Sequence, residues 1–357
     1  MCHKALLVSR CLSFLPAESA GRARQDGRRQ PLEHGGSTCV VCSDVVQGGR
    51  VDAILEIQGL SKRYGDHVAV DDISFSVPRG SVFGLLGPNG AGKTTTIRMV
   101  MRIIAADSGA VLLDGQPVDD DRRRVIGYLP EERGLYRRMK LRDLLKFYGE
   151  LKSNRDVSAQ VDAWLRKFDL EAWADKKVET LSKGMSQKAQ FISAVVAEPE
   201  LLILDEPFSG LDPVNTDILR EAVLELQDKG TTVIFSTHDM DVAEKMCDFI
   251  FMIFKGKKVL DGTLDTIQAE YGHDTLRIGA DGGAAMLRDL EGVERIRDFG
   301  KVQELRMKQG ADPQGIISVI MARTRVKHFE VSKPSLHDIF VRIAGPEAEE
   351  VAVAQNP

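Results

Sequence analysis

The segment GPNGAGKT, Gly87 to Thr94, constrains the fold of this chain more than any other stretch of its sequence. It fits the pattern G-x-x-x-x-G-K-[ST], in which glycines let a loop wrap tightly and point its backbone N–H groups at phosphate oxygens. The apolar segment SVFGLLG precedes the loop, and the helix-like segment KTTTIRMVMRIIA follows it. A strand, a glycine loop and a helix in this order predict a phosphate-binding loop rather than a chance glycine turn.

This loop predicts a function for each of its polar groups. The Lys93 ammonium group is expected to reach the β- and γ-phosphates of a nucleotide, and the Thr94 hydroxyl is expected to coordinate Mg²⁺. The helix that begins near Lys93 adds the positive end of its dipole. The residues expected to bind the nucleotide are Gly87, Pro88, Asn89, Gly90, Ala91, Gly92, Lys93, Thr94 and Thr95.

A second acidic position for the metal lies in the segment LLILDEP, which starts at Leu201. Asp205 ends a hydrophobic strand and is predicted to hold Mg²⁺, and the adjacent Glu206 is placed to polarise an attacking water. The alternative is an acidic pair that only caps the end of a strand. Because the chain already contains a phosphate-binding loop, hydrolysis is favoured, and the sequence shows no acceptor pocket of the kind that a kinase needs.

Short apolar runs alternate with helix-like segments through the middle of the chain. LLILDEP and TTVIFSTH suit parallel strands buried on both faces, with the helix-like TDILREAVLELQDKG between them. Residues 141–176 show the i, i+3, i+4 apolar spacing of helices, and AILEIQGLSKRY alternates as a half-buried strand does. This alternation of strands and helices predicts an α/β core.

After Tyr271 the pattern changes to shorter segments. DTLRIGA, AAMLRDLEG, VERIRDF, KVQELRM, PQGIISVIMAR and VKHFEVS predict the order β-α-β-β-α-β of a small ferredoxin-like module. The amphipathic helix PSLHDIFVRIAG follows it. We therefore expect an accessory α+β domain at residues 271–345 and a flexible acidic tail at residues 346–357.

The first 50 residues differ in composition from the rest of the chain and show no sustained apolar periodicity. Four of the five cysteines lie there: Cys2, Cys11, Cys39 and Cys42. We expect residues 1–50 to be a disordered extension, or the result of a start site placed too far upstream. The CVVC pair is only a weak indication of zinc or redox chemistry, because no second pair accompanies it. The single cysteine of the body, Cys247, suits a reducing cytoplasm.

Charge and hydropathy exclude two classes of protein. A net charge of -5 argues against a dedicated nucleic-acid binder, which usually carries a basic face, so no nucleic-acid partner is expected. No stretch of the sequence approaches the roughly 18 apolar residues that span a bilayer. The most apolar run, FIFMIF, has only the length of a strand.

Residues 54–262 resemble the ATP-binding cassette (ABC) family of transporter ATPases. Besides the phosphate-binding loop and LLILDEP, three motifs in the family's order carry the resemblance. LSKGMSQK corresponds to the family's signature segment, SGLD to its D-loop, and STHD contains the switch histidine, His238. Tyr64 lies where the family has an aromatic residue that stacks on adenine.

The resemblance implies a P-loop NTPase fold for residues 51–270. This fold has a RecA-like sheet, an antiparallel β-subdomain and an α-helical subdomain at about residues 132–195. The family's ATPases dimerise head to tail, so that each ATP lies between one phosphate-binding loop and the opposite signature segment. The implied site residues comprise a catalytic set (Lys93, Glu206, His238), nucleotide contacts outside the loop (Tyr64, Ser182, Gly184, Asp212) and metal ligands (Thr94, Asp205, Glu131).

The sequence departs from the family's pattern at two places. Glu131 stands where the family usually has a glutamine that senses the γ-phosphate, the metal and the transport partner, which puts that usual function in doubt. Lys183 and Met185 replace a glycine and a glutamine of the usual signature. Lys183 either adds favourable charge near the γ-phosphate or only faces solvent, and the second alternative is favoured.

The expected function is that of an ATP-hydrolysing subunit, dimerising with itself or a homologous subunit. It would dock from the cytoplasm on a multi-span permease at the inner face of the membrane, with residues 131–148 in contact. LPEERGLY, LSKGMSQK and PSLHDIFV together resemble the subgroup of exporter ATPases that includes the sodium-extrusion type. The alternatives are a non-transport ABC ATPase acting on ribosomes or chromosomes and a regulator that binds ATP without turnover. Glu206 and His238 argue against the second.

Overall fold

The computed structural model describes residues 52–132, 134–271, 275–308 and 310–345. The expected extension at residues 1–50, with its CVVC pair, and the expected tail at residues 346–357 lie outside the described residues. None of the helices in the described ranges combines the length and the apolar content that crossing a membrane requires.

Strands and helices alternate through the first two thirds of the described chain. The strands are β1 Ala53–Tyr64, β2 His67–Pro78, β3 Val82–Leu86, β4 Ser108–Leu113, β5 Gln116–Pro117, β6 Ile126–Leu129, β7 Leu201–Asp205, β8 Thr232–Thr237, β9 Phe249–Phe254, β10 Lys257–Gly262, β11 Thr275–Ala280, β12 Val293–Asp298, β13 Gln303–Met307 and β14 Val326–Ser332. The helices are α1 Lys93–Val100, α2 Leu141–Ser153, α3 Ser158–Lys167, α4 Lys183–Val195, α5 Pro213–Asp228, α6 Met240–Met246, α7 Leu264–Tyr271, α8 Pro313–Arg323 and α9 Leu336–Ala344.

A six-stranded sheet in the order β10-β9-β3-β8-β7-β6 forms the centre of the fold. All its neighbours run parallel except β9 and β10. Successive residues of β7 enter different cores: Leu202 and Leu204 pack among α2 to α5, whereas Leu201 and Ile203 pack towards α1 and the antiparallel sheet. Because apolar groups cover both faces, the strand is apolar throughout, and the α/β prediction is confirmed.

An antiparallel sheet in the order β2-β1-β4-β5 lies beside the start of α1. It shares one apolar core with the central sheet, to which β1 contributes Ile57, β3 Leu85 and α1 Ile97. The backbone N–H of Asp71 in β2 donates to Gly256 O, between β9 and β10, at 2.9 Å. These contacts hold the antiparallel sheet against the loop between β3 and α1.

The predicted helical regions are shorter in the structure than the apolar spacing suggested. Residues 141–176 form α2, α3 and a 3₁₀ turn at Glu171–Trp173, and Asn154 ends α2 in a left-handed conformation with φ 52°. α1 ends at Val100 rather than near Ala105, because Arg102 also takes a left-handed φ, of 52°. After Asn154 the apolar spacing continues because Val157 and Val161 are buried too, whereas after Arg102 the side chain of Ile103 is 56% exposed.

The C-terminal sheet has the order β12-β13-β11-β14, with every neighbouring pair antiparallel. This is the strand order of a ferredoxin-like module, as the sequence predicts. The first predicted helix, in AAMLRDLEG, is wrong in extent: only a 3₁₀ turn at Gly283–Leu287 forms, after Gly282 with φ 88°. α9 packs its apolar face on the core that contains α6 rather than on this sheet.

Candidate nucleotide site

The loop between β3 and α1 is held so closely by its neighbours that two of its positions require glycine. A Cβ on Gly87 would lie 2.2 Å from Ile253 O, and a Cβ on Gly92 would lie 2.5 Å from Ala69 O. Both residues also have φ angles of 151° and 113°, which other residues rarely adopt. The loop therefore packs closely between β9 and β2 at the N-terminus of α1.

The side chain of Lys93 lies inside this loop with only 5% of its surface exposed. Its Nζ donates to Gly87 O at 2.7 Å and to Pro88 O at 3.2 Å. The same Nζ lies 3.3 Å from Glu206 Oε1, so two residues predicted to be catalytic form an ion pair. The ammonium group is thus fixed beside the N-terminus of α1, where an anion is favoured.

Asp205 and Thr94 meet where β7 ends beside the start of α1. The Thr94 Oγ1 donates to Asp205 Oδ1 at 3.2 Å, and Ser236 Oγ donates to the same oxygen at 2.6 Å. The other oxygen, Oδ2, is buried without a hydrogen-bond partner, and burial raises the pKa of Asp205. A buried carboxylate oxygen without a donor beside a hydroxyl suits an oxygen-seeking cation or a water bound to one, so these residues fit Mg²⁺.

Glu206 follows Asp205 in a strained backbone conformation, and its carboxylate lies near Lys93 and His238. Its φ is 48°, and its N–H donates to Ser236 Oγ at 3.0 Å. The carboxylate oxygens lie 3.2 Å and 3.1 Å from His238 Nδ1. Strain of this kind is stored at functional sites, and here it places an acid between Lys93 and His238.

Ser236 is a site residue that the sequence reasoning missed, although it lies in the STHD motif. β7 and β8 are parallel and in register, with Asp205 opposite Ser236. The serine hydroxyl therefore donates to one acid and accepts from the backbone of the next. The signal available in the sequence was the place of Ser236 in the STHD motif, whereas its pairing with Asp205 depends on the register of β7 and β8.

The signature segment forms the exposed N-terminus of α4. The Ser182 Oγ accepts from Met185 N at 3.2 Å as the helix cap, and Ser182 and Lys183 are both exposed. Within the described part of the chain, no hydrogen bond or ion pair joins Ser182 or Gly184 to the phosphate-binding loop. The structure thus leaves these predicted nucleotide contacts apart from Lys93 and its neighbours.

Asp212 caps α5 in the same way. Its carboxylate accepts from Asn215 N at 3.0 Å and from the Asn215 side chain, and these hydrogen bonds lower the pKa of Asp212. A Cβ on Gly184 would lie 3.5 Å from Asn215 Nδ2, so the N-termini of α4 and α5 are neighbours. Two helix N-termini at one exposed edge form an anion-favouring surface.

A chain of polar contacts connects the signature helix to the acidic residues. The Gln187 Nε2 donates to Ser209 O at 3.0 Å, and Ser209 N donates to Glu206 O at 3.3 Å. Hydrogen bonds thus join α4 to the loop that follows Glu206.

Two predicted site residues lie at the periphery. Tyr64 ends β1 with 51% of its surface exposed, and Lys62 Nζ is 5.6 Å from the centroid of its ring. Glu131 is exposed in the turn after β6, and within the described ranges no hydrogen bond joins it to Thr94 or Asp205. Both functions, adenine stacking and metal coordination, stay predictions.

The acids, the histidine and the phosphate-binding loop lie together at the carboxyl ends of adjacent parallel strands, as in other nucleotide-binding α/β proteins. Fold and site together define a P-loop ATPase. Comparisons with known proteins agree. Residues 70–209 match the family model described as ABC transporter, and residues 262–344 match the model of an ATP-binding protein DrrA1-3-like, C-terminal domain.

Relatives of similar length extend the match over both regions. The chain is 41% identical over 294 residues to the uncharacterised ABC transporter ATP-binding protein YhaQ of Bacillus subtilis, covering 82% of this chain and 99% of the relative. It is 32% identical to a Nod factor export ATP-binding protein I of Burkholderia lata (84% and 99% covered). It is 31% identical to the linearmycin resistance ATP-binding protein LnrL of Bacillus subtilis (82% and 98% covered).

Solved structures cover the cassette. The structure of an ATP-binding subunit of an ABC transporter matches with a TM-score of 0.58 at 34% identity, over 61% of this chain and 93% of that one. The structure of cbiO1 from Clostridium perfringens, part of the ABC transporter complex cbiONQ, matches at 0.55 and 30%, over 62% and 92%. The chain belongs to the family of ABC transporter ATP-binding proteins, which bind and hydrolyse ATP.

Proposed function

We propose that this chain is the ATP-hydrolysing subunit of an exporter, which dimerises around two ATP molecules and docks on a separate membrane permease at its inner face. The relatives named for Nod factor export and linearmycin resistance support export, and none of the relatives described above is named for ribosomes or chromosomes. The cluster of Lys93, Glu206 and His238 beyond the ends of three adjacent parallel strands, β3, β7 and β8, is the observation that carries the proposal.

The residues of this cluster divide the chemistry between them. Lys93 and the backbone N–H groups of the loop hold the β- and γ-phosphates, while Glu206 accepts a proton from the attacking water. His238 lies against the Glu206 carboxylate and orients that water towards the γ-phosphate. Thr94 and Asp205 would hold Mg²⁺, which neutralises charge on the phosphates when bound.

The exposed signature edge supports a head-to-tail dimer. Within the described residues, no hydrogen bond or ion pair joins Ser182 or Gly184 to the loop of their own chain, yet they form a helix N-terminus at which a γ-phosphate is favoured. A second copy, or a homologous subunit, would present this edge to the ATP held by Lys93. Binding of ATP would then join two subunits and hydrolysis would release them.

An exposed apolar cluster on the helical region supports docking on a permease. Tyr136, Phe147 and Tyr148 contact one another with ring centroids 5.7 Å to 6.2 Å apart, although Tyr136 is 58% and Phe147 43% exposed. A cavity of about 570 Å³ beside them has Leu135, Tyr148 and Leu151 in its lining, together with charged side chains that include Arg123, Arg124 and Lys152. Exposed aromatic groups around a groove are typical of a protein interface.

The replacement Glu206→Gln tests the catalytic assignment. We expect ATP to bind and an ATP-bound dimer to accumulate in size-exclusion chromatography, while kcat falls about 10²- to 10⁴-fold, the usual contribution of a general base. The exposed Glu221→Gln on α5 is a matched control that removes the same charge outside the site. Turnover at the wild-type rate in Glu206→Gln would remove Glu206 as the base.

Replacing Phe147 and Tyr136 by serine tests the docking surface. We expect purified protein to lose binding to membrane vesicles that contain its proposed multi-span permease, with unchanged ATP hydrolysis in solution. Met321→Ser on α8 removes an apolar side chain of similar exposure, 64%, from another surface. Equal loss of binding in both proteins would argue against this docking site.

A further inference from the structure

The last helix in the described ranges, α9, lies within the residues that match the C-terminal domain model, yet it packs on the cassette. Buried apolar residues of α9 and of α6 share one core: Leu336, Ile339 and Phe340 with Met240 and Ala243. Met240 is the first residue of α6 and lies two residues after the switch histidine, His238. Through α9, the accessory module therefore contacts the helix that begins beside the nucleotide site.

The switch histidine, His238, lies in the turn between β8 and α6. The N–H of Asp239 donates to Thr237 Oγ1 at 3.0 Å, and the Asp239 carboxylate accepts from Val242 N at 3.1 Å as the cap of α6. α6 has only seven residues, Met240–Met246. Because helices this short are not stable alone in water, packing on neighbouring elements fixes α6 and with it the turn that carries His238.

Glu244 on α6 connects this short helix to α9 through a hydrogen bond. Its Oε1 accepts from Leu336 N, the first N–H of α9. The first N–H groups of a helix have no partner within it, and a carboxylate is favoured at the positive end of the helix dipole. Ser335 supplies the other cap, since its Oγ accepts from Asp338 N at 3.1 Å. The N-terminus of α9 is therefore capped partly by the residue before it and partly by the helix that follows His238.

The Glu244 carboxylate is poorly compensated in this position. Burial raises the pKa of Glu244, and the hydrogen bond from Leu336 N offsets only part of this rise. Asp241 and Asp338 also disfavour the ionised form, whereas Arg277 favours it. Within the described part of the chain, no ion pair joins Glu244 to a basic side chain. Ionised Glu244 therefore costs stability here, so its bond to α9 is better explained by the geometry that the bond fixes.

We propose that Glu244 is a positioning residue for ATP hydrolysis, which holds α9 against α6 and thereby keeps His238 at the Glu206 carboxylate. This inference rests on the proposed function of His238 in orienting the attacking water. The His238 Nδ1 lies 3.1 Å from Glu206 Oε2, and a small shift of α6 breaks a contact of this length. The bond between Glu244 and Leu336 opposes such a shift. The last helix of the accessory module thus takes part in turnover.

ATP turnover by the purified full-length chain tests this function of Glu244. In Glu244→Ala we expect kcat to fall about fivefold or more while KM for ATP changes less than about twofold, because β9 and β2 still hold the phosphate-binding loop. Glu244→Gln should keep a kcat within about twofold of the wild type, since its amide oxygen accepts the same N–H. Lys245→Ala removes an exposed side chain from the same helix and should turn over as the wild type does.

A double-mutant cycle with His238→Ala shows whether Glu244 acts through the histidine. In the His238→Ala protein, the further change Glu244→Ala should alter the residual kcat less than about twofold, because the group that Glu244 positions is already absent. A further fall as large as in the wild type would make the two losses independent and overturn the inference. Wild-type turnover in His238→Ala would overturn the proposed function of His238 as well. A fall in His238→Ala with wild-type turnover in Glu244→Ala would overturn this inference alone.

Glu244→Asp repeats the test if Glu244→Ala is misfolded. Aspartate keeps the charge, but its side chain is one methylene group shorter and its carboxylate falls short of Leu336 N, so kcat should fall as in the alanine variant. Circular dichroism at the assay temperature checks that each variant is folded. A kcat of folded Glu244→Gln as low as that of Glu244→Asp would contradict the inference, because the hydrogen bond to α9 would then not decide turnover. A raised KM with unchanged kcat in Glu244→Asp would contradict it too.

Discussion

The two halves of the ATP site lie on the same chain but are held in different ways. In the phosphate-binding half, Lys93 and Asp205 are almost completely buried and bonded to other site residues. In the signature half, Ser182 and Asp212 are exposed, and within the described residues their side chains bond to the next turn of their own helices. The central sheet preorganises the first half. The second half also has a fixed conformation, but within the described residues it makes no hydrogen bond to the phosphate-binding loop of its own chain.

This difference follows from the cost of burying polar groups. A buried ammonium and carboxylates need one another as partners, so the phosphate-binding half is assembled whether or not a second subunit is present. Exposed helix N-termini need only a cap, and water satisfies the remaining donors. We therefore expect changes in the buried half to affect one subunit alone and changes in the exposed half to affect the dimer.

Of the variants Asp205→Asn, Ser182→Ala and Lys183→Gly, the first, in the buried half, is expected to have the largest effect. Loss of a metal-binding carboxylate should reduce ATP turnover on the order of 10²- to 10³-fold. The same change should raise the melting temperature of the nucleotide-free protein at pH 7. Burial raises the Asp205 pKa, so the folded protein holds the Asp205 proton more tightly than the unfolded chain does. The free energy of unfolding therefore falls as pH rises through the pKa of the folded state.

Thermal unfolding at pH 7 and at pH 4 checks the stability part of this prediction. The advantage of Asp205→Asn should shrink at pH 4, where the wild-type carboxyl approaches its neutral form. Asp217→Asn, on the exposed side of α5, should change neither turnover nor melting temperature. A lower melting temperature of Asp205→Asn at pH 7 would contradict the inference that ionised Asp205 destabilises the fold.

A smaller effect is expected for Ser182→Ala, in the exposed half. Loss of the α4 cap should cost about 1 kcal/mol of stability, and loss of a contact across the dimer should reduce turnover about tenfold. ATP affinity of the monomer should not change. Ser182→Asp separates the two effects, because aspartate caps a helix but repels a γ-phosphate, so it should restore stability and not turnover. Recovery of both would reduce Ser182 to a structural cap.

The buried half could be predicted largely from the sequence because its motifs are local. The spacing of Gly87, Gly92 and Lys93 specifies a loop that few other structures allow, and an apolar strand specifies where Asp205 emerges. The bond of Ser236 to both acids could not be predicted in this way, since it depends on the register of β7 and β8. Register is a property of two strands that lie far apart in the chain.

The boundaries of some helices could not be predicted from local sequence patterns either. α5 begins at Pro213 rather than at Thr216, because Asp212 supplies the cap and proline fits the first turn of a helix. The expected helix in AAMLRDLEG is a single turn, since Gly282 redirects the chain and Arg288 is extended. The apolar residues Leu287 and Leu290 of that segment are buried as a helix would bury them, so the pattern of burial alone could not exclude a helix.

The smallest expected effect is that of Lys183→Gly, which separates the two interpretations of this departure from the usual signature. Lys183 is the first residue of α4, exposed and without an ion pair in the described part of the chain, so we expect turnover to change less than about twofold. Lys183→Ala removes the charge with less change in backbone freedom and should behave alike. If Lys183 instead attracts the γ-phosphate across the dimer, both variants lose turnover at low salt. This loss shrinks when added salt shortens the Debye length from about 30 Å at 0.01 M to about 8 Å at 0.15 M. Equal salt dependence of wild type and variants would leave Lys183 as a solvent-facing residue and the exposed half with Ser182 and Gly184 as its only phosphate contacts.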